Sequence, residues 1–153
     1  MNQKKILIAD KEKEFALSLA AVLSEEGCQF NFVIDGREVV QEAKEQRPQV
    51  IILRAEMPEV SGYTLCTQLR KSRKLKGSRI LLMTSDDGEE AIERHRKGKY
   101  PADDYLQMPF DMDEFKQKVK NLLGGENGEE TAAEAADEDA TVPVMEAQVG
   151  QER

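Results

Sequence analysis

The sequence predicts an α/β fold, a doubly wound parallel sheet of five strands in the order 2-1-3-4-5. Short apolar runs rich in isoleucine, valine and leucine alternate with segments of helical period, which is typical of a parallel sheet covered on both faces. Five such strand–helix units fit into the first 125 residues. In this strand order the switch point lies between strands 1 and 3.

The predicted strands are the five apolar runs. They lie at Lys5–Ala9, Phe30–Ile34, Val50–Leu53, Ile80–Thr84 and Tyr105–Leu106. Ligands of doubly wound sheets collect beyond the carboxyl ends of the strands near the switch point. Those ends carry Asp10, Arg54 and Thr84, so we expect the functional residues there.

Five helices are predicted, and the first is the clearest. Its apolar residues follow the i, i+4, i+7, i+8 spacing, and Gly27 stands where a left-handed glycine would end it. The other four cover residues 36–46, 62–73, 87–97 and 111–123. Asp35 is the expected N-cap of the second helix, and Asp111 or Asp113 that of the fifth. The fourth is weaker because it contains few apolar residues.

Acidic residues are concentrated near the C-terminus. Residues 126–153 contain nine acidic residues and one basic, which accounts for the whole net charge of −8 and leaves 21 of each sign before them. This alanine-rich stretch has no apolar stripe, so it cannot offset the entropy lost on folding. We expect a folded domain at 1–124 and a disordered acidic tail or linker at 125–153, both belonging to a longer protein. The tail either folds back on basic patches or spaces the domain.

Composition also excludes several classes of protein. A generic nucleic-acid role needs a basic excess, which residues 1–125 lack. No run approaches the roughly 20 apolar residues of a membrane span, and no leader is evident, so we expect a cytoplasmic protein without membrane insertion. His95, the one histidine, has no partners for a metal site, and Cys28 and Cys66 are expected to be buried apolar residues. No cofactor, no metal and no enzymatic activity are predicted.

Four segments resemble a known family. They are KILIADKE at strand 1, MPEVSGY after strand 3, LLMTS at strand 4 and ADDYLQMPFDMDEF across strand 5. In this order and spacing, Lys4–Leu123 is similar to the CheY-like receiver domain of response regulators. The resemblance implies a flavodoxin-like three-layer sandwich acting as a phosphorylation switch. GYTLC, LRKSRKLK and HRKGKYPADDY look especially like the degenerate pseudo-receivers of bacterial gliding-motility proteins.

The resemblance implies residues for phosphorylation that this chain has largely exchanged. Receivers use an acceptor aspartate, Mg²⁺ bound by an acidic pair, a Thr or Ser, and a lysine before a proline. Asp10 falls on the first acid of the pair, but Lys11 falls on the second. Arg54 stands at the acceptor position and Met108 at the lysine, while Thr84 is retained. We therefore expect a degenerate phosphorylation site with no catalytic residue, and a cis peptide at the proline after Met108.

Arg54 cannot accept a phosphoryl group, because its guanidinium stays protonated and has no nucleophilic oxygen. Neighbouring strand ends bring Arg54 within reach of Asp10, so we expect an ion pair; the alternative is that Arg54 extends to solvent. A rival hypothesis keeps phosphorelay activity through a displaced acceptor at Asp10, Glu56 or Asp86. Otherwise Glu56 would contribute only its backbone carbonyl.

The expected output is protein–protein binding, with a role in bacterial motility or polarity control. Receivers commonly signal through the fourth helix, fifth strand and fifth helix, and the segment ERHRKGKY there is basic. We expect this face to bind an acidic or helical protein partner. The predicted contact residues are Arg94, His95, Arg96, Lys97, Lys99 and Tyr105. Tyr105 also falls on the aromatic switch position of the family. From charge alone, the segment would be a solvated helix surface.

Overall fold

Ten regular elements build the described part of the protein, which in this computed structural model comprises residues 4–24, 27–85 and 88–124. The strands are β1 (Lys4–Ala9), β2 (Cys28–Val33), β3 (Val50–Arg54), β4 (Arg79–Thr84) and β5 (Asp104–Gln107). The helices are α1 (Lys13–Leu23), α2 (Val39–Gln46), α3 (Gly62–Lys71), α4 (Gly88–Arg96) and α5 (Met112–Gly124). Short 3₁₀ turns at Gly36–Glu38 and Arg73–Leu75 flank α2 and α3.

The five strands form one parallel sheet in the order β2-β1-β3-β4-β5, which confirms the predicted fold class. The register between the two central strands pairs Ile8 with Ile52 and Ala9 with Leu53. These four residues are fully buried. β1 and β3 therefore end side by side in the core, and the residues that follow them must meet.

Helices cover both faces of the sheet. Side chains alternate between the faces along each strand, and Leu7, Ile51 and Leu82 belong to one cluster with α2, α3 and α4. Their neighbours in sequence face the opposite side, where α1 and α5 lie. There Phe110 stacks on Phe115 of α5, with the two ring centroids 5.8 Å apart. Each large apolar side chain buried in these layers contributes about 1.5–3 kcal/mol.

Local hydrogen bonds, more than the pattern of apolar residues, determine where the strands and helices begin and end. β2 begins two residues before the predicted strand because Cys28 and Gln29 pair with β1. The predicted second helix opens as a 3₁₀ turn, where Asp35 accepts a hydrogen bond from the Arg37 amide (2.9 Å), and only then becomes α-helical. Asp111, not Asp113, caps α5 by accepting from the Asp113 amide at 3.1 Å. The cis peptide at Met108–Pro109 is confirmed.

Several sequence predictions meet the limits of the described residues. The predicted tail, 125–153, lies outside them, as do Asp86 and Asp87. The chain divides into two compact units, residues 1–119 and residues 120–153. The described residues of the second unit, 120–124, are the end of α5. Cys66 is buried as predicted, but Cys28 is half-buried because it lies on the edge strand β2. In the part of the chain that the structure describes, no helix is long and apolar enough to cross a bilayer.

Candidate functional site

The candidate site is the corner at the carboxyl ends of β1, β3 and β4. Asp10 directly follows β1, Arg54 ends β3 and Thr84 ends β4. The strand order places β3 between the other two, so the sheet alone brings these residues together. Met108 follows β5, and its amide donates to the Thr84 carbonyl at 2.8 Å. Lys11, next to Asp10, is exposed.

A buried ion pair occupies the centre of the corner. The Arg54 Nη1 donates to Asp10 Oδ2 at 2.9 Å, and the side chains are 7% and 0% exposed. The other Asp10 oxygen, Oδ1, accepts from the Glu12 amide at 2.9 Å. The Arg54 guanidinium carbon lies 5.7 Å from the centroid of the Phe15 ring. The predicted pair is confirmed, and the alternative in which Arg54 extends to solvent is wrong.

Glu56 brings a second carboxylate into the corner, which the sequence analysis did not foresee. Its Oε1 accepts from Arg54 Nε at 3.1 Å, and its Oε2 accepts from the Thr84 hydroxyl at 2.6 Å. Both oxygens also lie within 3.2 Å of the Ser85 amide nitrogen. The Glu56 side chain thus connects the end of β3 to the end of β4. The sequence signal for this contact was a carboxylate two residues after a cation at the end of a strand.

The electrostatics of the corner keep Arg54 charged. Burial alone would lower the pKa of Arg54, but the charge of Asp10 and the hydrogen bonds to Asp10 and Glu56 outweigh it and raise that pKa. Arg54 therefore stays cationic at any physiological pH. Removing one partner from a buried pair leaves an uncompensated charge and typically costs about 3–5 kcal/mol.

The residues of the corner do not fit Mg²⁺, the metal that the receiver resemblance implies. Mg²⁺ requires oxygen ligands in octahedral geometry. Here the guanidinium of Arg54 already engages one carboxylate oxygen of Asp10 and one of Glu56. Lys11 adds a second cation in place of a ligand. Among the described residues, no cluster of three or more acidic, histidine or cysteine side chains forms a metal site elsewhere.

Gly62 allows the start of α3 to lie against the corner. Its amide donates to the Ala55 carbonyl at 2.8 Å. A Cβ atom here would lie 2.7 Å from the Ala55 Cα and would overlap the Arg54 carbonyl oxygen. The glycine of the segment MPEVSGY is thus required by close backbone packing, a role that the resemblance alone did not identify.

The predicted switch residue, Tyr105, is 6% exposed and faces inward. Its hydroxyl accepts from the Ala102 amide at 2.9 Å and lies 2.7 Å from His95 Nδ1. The Tyr105 hydroxyl therefore links the Ala102 amide to the His95 imidazole. Burial raises the pKa of Tyr105. Burial also lowers the pKa of His95, against a smaller opposite effect of a hydrogen bond with the Tyr63 backbone.

His95 is consequently a neutral, half-buried residue and adds no charge to the predicted basic face. Its ring packs between Tyr63 and Tyr105, at centroid distances of 5.1 and 5.8 Å. The imidazole thus faces two aromatic rings, whereas the four cations predicted as contact residues with it are exposed.

The remaining predicted contact residues separate into two groups. Arg96 lies over the Tyr105 ring at 5.1 Å, and both Arg96 and Lys97 pair with Glu93, at 3.4 and 3.9 Å. Arg94 and Lys99 instead line a cavity between α3 and α4. The structure therefore does not bring the predicted cations onto one face.

Comparison with known families identifies the domain. The response regulator receiver domain matches residues 6–120. The chain belongs to this receiver family. Receivers of this family act in signalling, and the match includes β2 to β5 and all but the first two residues of β1.

Two curated relatives illustrate the range of proteins that carry such a domain. The adventurous-gliding motility protein Z of Myxococcus xanthus is 34% identical over 113 residues, which are 74% of this chain and 8% of that protein. The alkaline phosphatase synthesis transcriptional regulatory protein PhoP of Bacillus subtilis is 31% identical over 120 residues, 78% of this chain and 48% of PhoP. The chain thus spans at most about half of either relative. The first of these relatives agrees with the predicted likeness to gliding-motility proteins.

Solved receiver structures match the fold. A response regulator from Chloroflexus aurantiacus superposes with a TM-score of 0.72 at 29% identity, covering 80% of this chain and 99% of that one. The receiver domain of a signal transduction histidine kinase from Syntrophus aciditrophicus gives a TM-score of 0.72 at 31% identity, covering 81% and 92%. Both confirm the CheY-like, flavodoxin-like arrangement.

Proposed function

We propose that this receiver domain signals by binding another protein and is not phosphorylated at its corner. One observation carries the proposal: Arg54, at the acceptor position, is buried and paired with Asp10. A guanidinium offers no nucleophilic oxygen to a phosphoryl donor. Asp10 has its oxygens engaged by Arg54 and by the Glu12 amide.

A carboxylate of the chain itself occupies the Thr84 side of the corner. The resemblance implies that the residue at position 84 contacts a phosphoryl oxygen. Here the Thr84 hydroxyl and the Ser85 amide donate to the carboxylate of Glu56. Arg54 pairs with that carboxylate and with Asp10. The donors that the resemblance assigns to a phosphoryl group are therefore already engaged by a side chain of the protein.

Function then belongs to the surface of the domain. Similarity to a gliding-motility protein supports a role in bacterial motility. Polarity control, a cytoplasmic location and the absence of enzymatic activity remain predictions from the sequence. The face formed by α4, β5 and α5 remains the first candidate for the partner, with the exposed Arg96 lying over the buried ring of Tyr105. A phosphorelay receiver with a displaced acceptor at Asp10 or Glu56 is the competing function.

NMR titration of the ¹⁵N-labelled chain with Mg²⁺ and beryllofluoride separates the two. We expect no shift of the amide signals of residues 10, 54 and 84. A triple variant that restores the family residues, Lys11→Asp, Arg54→Asp and Met108→Lys, serves as the matched control and should gain such shifts. Shifts of these signals in the unaltered chain would overturn the proposal in favour of the displaced acceptor.

The docking face is tested by charge reversal in a pull-down. The variant reverses Arg96 and Lys97, the two cations of the predicted contact set that do not line the α3–α4 cavity. Its control reverses two exposed cations on other parts of the chain, Lys13 and Lys74. Loss of the captured partner in the first variant alone supports the face, and equal capture by both rejects it.

A further inference from the structure

A cavity of about 360 Å³ opens between α3 and the end of α4, away from the corner. It is lined by Tyr63, Thr67, Ala91, Arg94, His95, Gly98, Lys99 and Tyr100. A different groove on the other side of α4 contains Tyr105, Gln107 and three glutamates. The two recesses therefore differ in both position and charge.

The walls of the α3–α4 cavity are mainly apolar and aromatic. Tyr63 packs against His95 at a centroid distance of 5.1 Å, and this imidazole is neutral because burial lowers its pKa. Tyr100 forms another wall, with the amino groups of Lys71 and Lys99 lying 5.5 and 5.7 Å from its ring centroid. Such a surface suits an apolar or aromatic group, and its volume lies near the lower end of the roughly 300–1,000 Å³ of small-ligand pockets.

The rim of the cavity carries positive charge that the described residues do not neutralise. Arg94 and Lys99 are exposed, and within residues 4–24, 27–85 and 88–124 neither forms an ion pair. By contrast, Arg96 at the end of α4 and the next residue, Lys97, share the carboxylate of Glu93. Positive potential is thus concentrated beside the aromatic walls, where it complements an anionic ligand.

We propose that the α3–α4 cavity binds an acidic peptide segment of a protein partner, with one aromatic side chain entering the cavity and flanking carboxylates pairing with Arg94 and Lys99. This inference rests on the proposed protein-binding function but assigns a second surface to it. A phosphate ligand fits less well, because it has no apolar group to fill the space between the aromatic walls of the cavity. Two separate cations instead match separate carboxylates.

The proposal predicts binding of a short model peptide by the full chain. The probe is the synthetic peptide Ac-Glu-Asp-Phe-Asp-Glu-NH₂, titrated to millimolar concentration into the ¹⁵N-labelled protein. We expect amide shifts at Tyr63, Ala91 and Tyr100. Replacing the phenylalanine by glycine, or the acids by lysine, should weaken binding about tenfold or more, since each removes one of the two matched features.

Charge reversal on the protein tests the site itself. Arg94→Glu and Lys99→Glu are each expected to weaken the peptide about tenfold. Lys97→Glu makes the same change of charge on a residue paired with Glu93, and should leave the affinity within about twofold. Equal weakening by all three variants would show general charge attraction and overturn the site.

Two further outcomes would also overturn this inference. One is the absence of any shift at millimolar peptide, and the other is a set of shifts confined to Tyr105 and Gln107. Neither bears on phosphorylation, because the titration with Mg²⁺ and beryllofluoride reports on residues of the corner. The two proposals can therefore fail separately.

Discussion

Two arginines, Arg54 in the corner and Arg94 on α4, occupy opposite environments in the same domain. Arg54 is 7% exposed and holds two carboxylates, those of Asp10 and Glu56. Arg94 is exposed, and within the described part of the chain it has no carboxylate partner. A buried charge needs an oppositely charged partner inside the protein, whereas an exposed charge is solvated and stays available to a ligand. The contrast supports the proposal that the domain acts by recognition at its surface and not by phosphorylation in the corner.

The largest expected difference comes from truncating each arginine. Arg54→Ala leaves the buried carboxylate of Asp10 uncompensated and should lower the free energy of unfolding by about 3–5 kcal/mol. Arg94→Ala should change it by less than about 0.5 kcal/mol. Urea denaturation of both variants measures the contrast. Adding Asp10→Asn to Arg54→Ala should recover part of the loss, and equal small losses in the two single variants would contradict the comparison.

Gly62→Ala tests the backbone packing against the corner. The added methyl group would meet the Arg54 carbonyl and the Ala55 Cα, and should destabilise the domain by about 1–3 kcal/mol. Gly77→Ala is the matched control, because no atom lies within 4 Å of its added Cβ. Thermal unfolding should show a lower Tm for the first variant only. Similar Tm values for both would mean that α3 can move away from the corner without cost.

Tyr105→Phe tests the hydrogen bonds that the buried Tyr105 hydroxyl makes, in contrast to the exposed Arg96 that lies over the same ring. The variant loses the hydroxyl that joins the Ala102 amide to His95. The free energy of unfolding should therefore fall by about 1–2 kcal/mol. Arg96, which only stacks over the ring, should tolerate alanine with a change below about 0.5 kcal/mol. Chemical denaturation distinguishes the inward hydrogen bonds from the outward cation contact. A larger loss in Arg96→Ala would reverse this assignment.

The neutral state of His95 predicts a pH dependence. Because its pKa is lowered in the folded protein, the unfolded chain binds the extra proton first as the pH falls. The stability that the neutral imidazole contributes to the fold is therefore fully present above the ordinary histidine pKa of about 6.5. It is lost as the pH falls through the lower pKa of His95 in the folded protein. Denaturation of the unaltered chain and of His95→Gln between neutral and mildly acidic pH should show a smaller acid loss in the variant. Identical pH profiles would contradict a buried neutral imidazole.

The smallest effect concerns reactivity and leaves stability untouched. Burial raises the pKa of the Cys66 thiol to about 11, so it is almost entirely protonated at neutral pH. Cys28 is half-buried on an edge strand. Iodoacetamide should therefore alkylate Cys28 well before Cys66 in the folded protein, as mass spectrometry of the digested chain would show. Comparable rates would indicate that the core around α3 opens readily.

The fold was predictable because its signal is repeated along the chain. Each buried strand is a continuous apolar run, and the strand order brings Asp10 and Arg54 to adjacent ends, so their pairing also followed from the sequence. Helix 4 was less predictable. With few apolar residues to fix its buried side, the pattern did not show that His95 turns inward while Arg94 turns outward.

The rest of the corner depends on side-chain directions that no periodic pattern encodes. Glu56 reaches Thr84 and Ser85 because the chain turns after β3, and a carboxylate in a turn has many rotamers available. Gly62 was visible as part of a motif, but its closeness to the Arg54 carbonyl is a tertiary contact. The roles of Glu56 and Gly62 can therefore be recognised only when the positions of the surrounding strands and helices are known.

The ion pair of Arg54 also constrains how this protein can evolve. A single Arg54→Asp change would set a new carboxylate beside Asp10 and Glu56, while Met108 supplies no lysine to balance them. Clustered like charges destabilise one another. A lineage returning to phosphorylation would therefore pass through a weaker protein before Lys11 and Met108 had also changed. The arginine thus makes a return to the acceptor aspartate by a single substitution unfavourable.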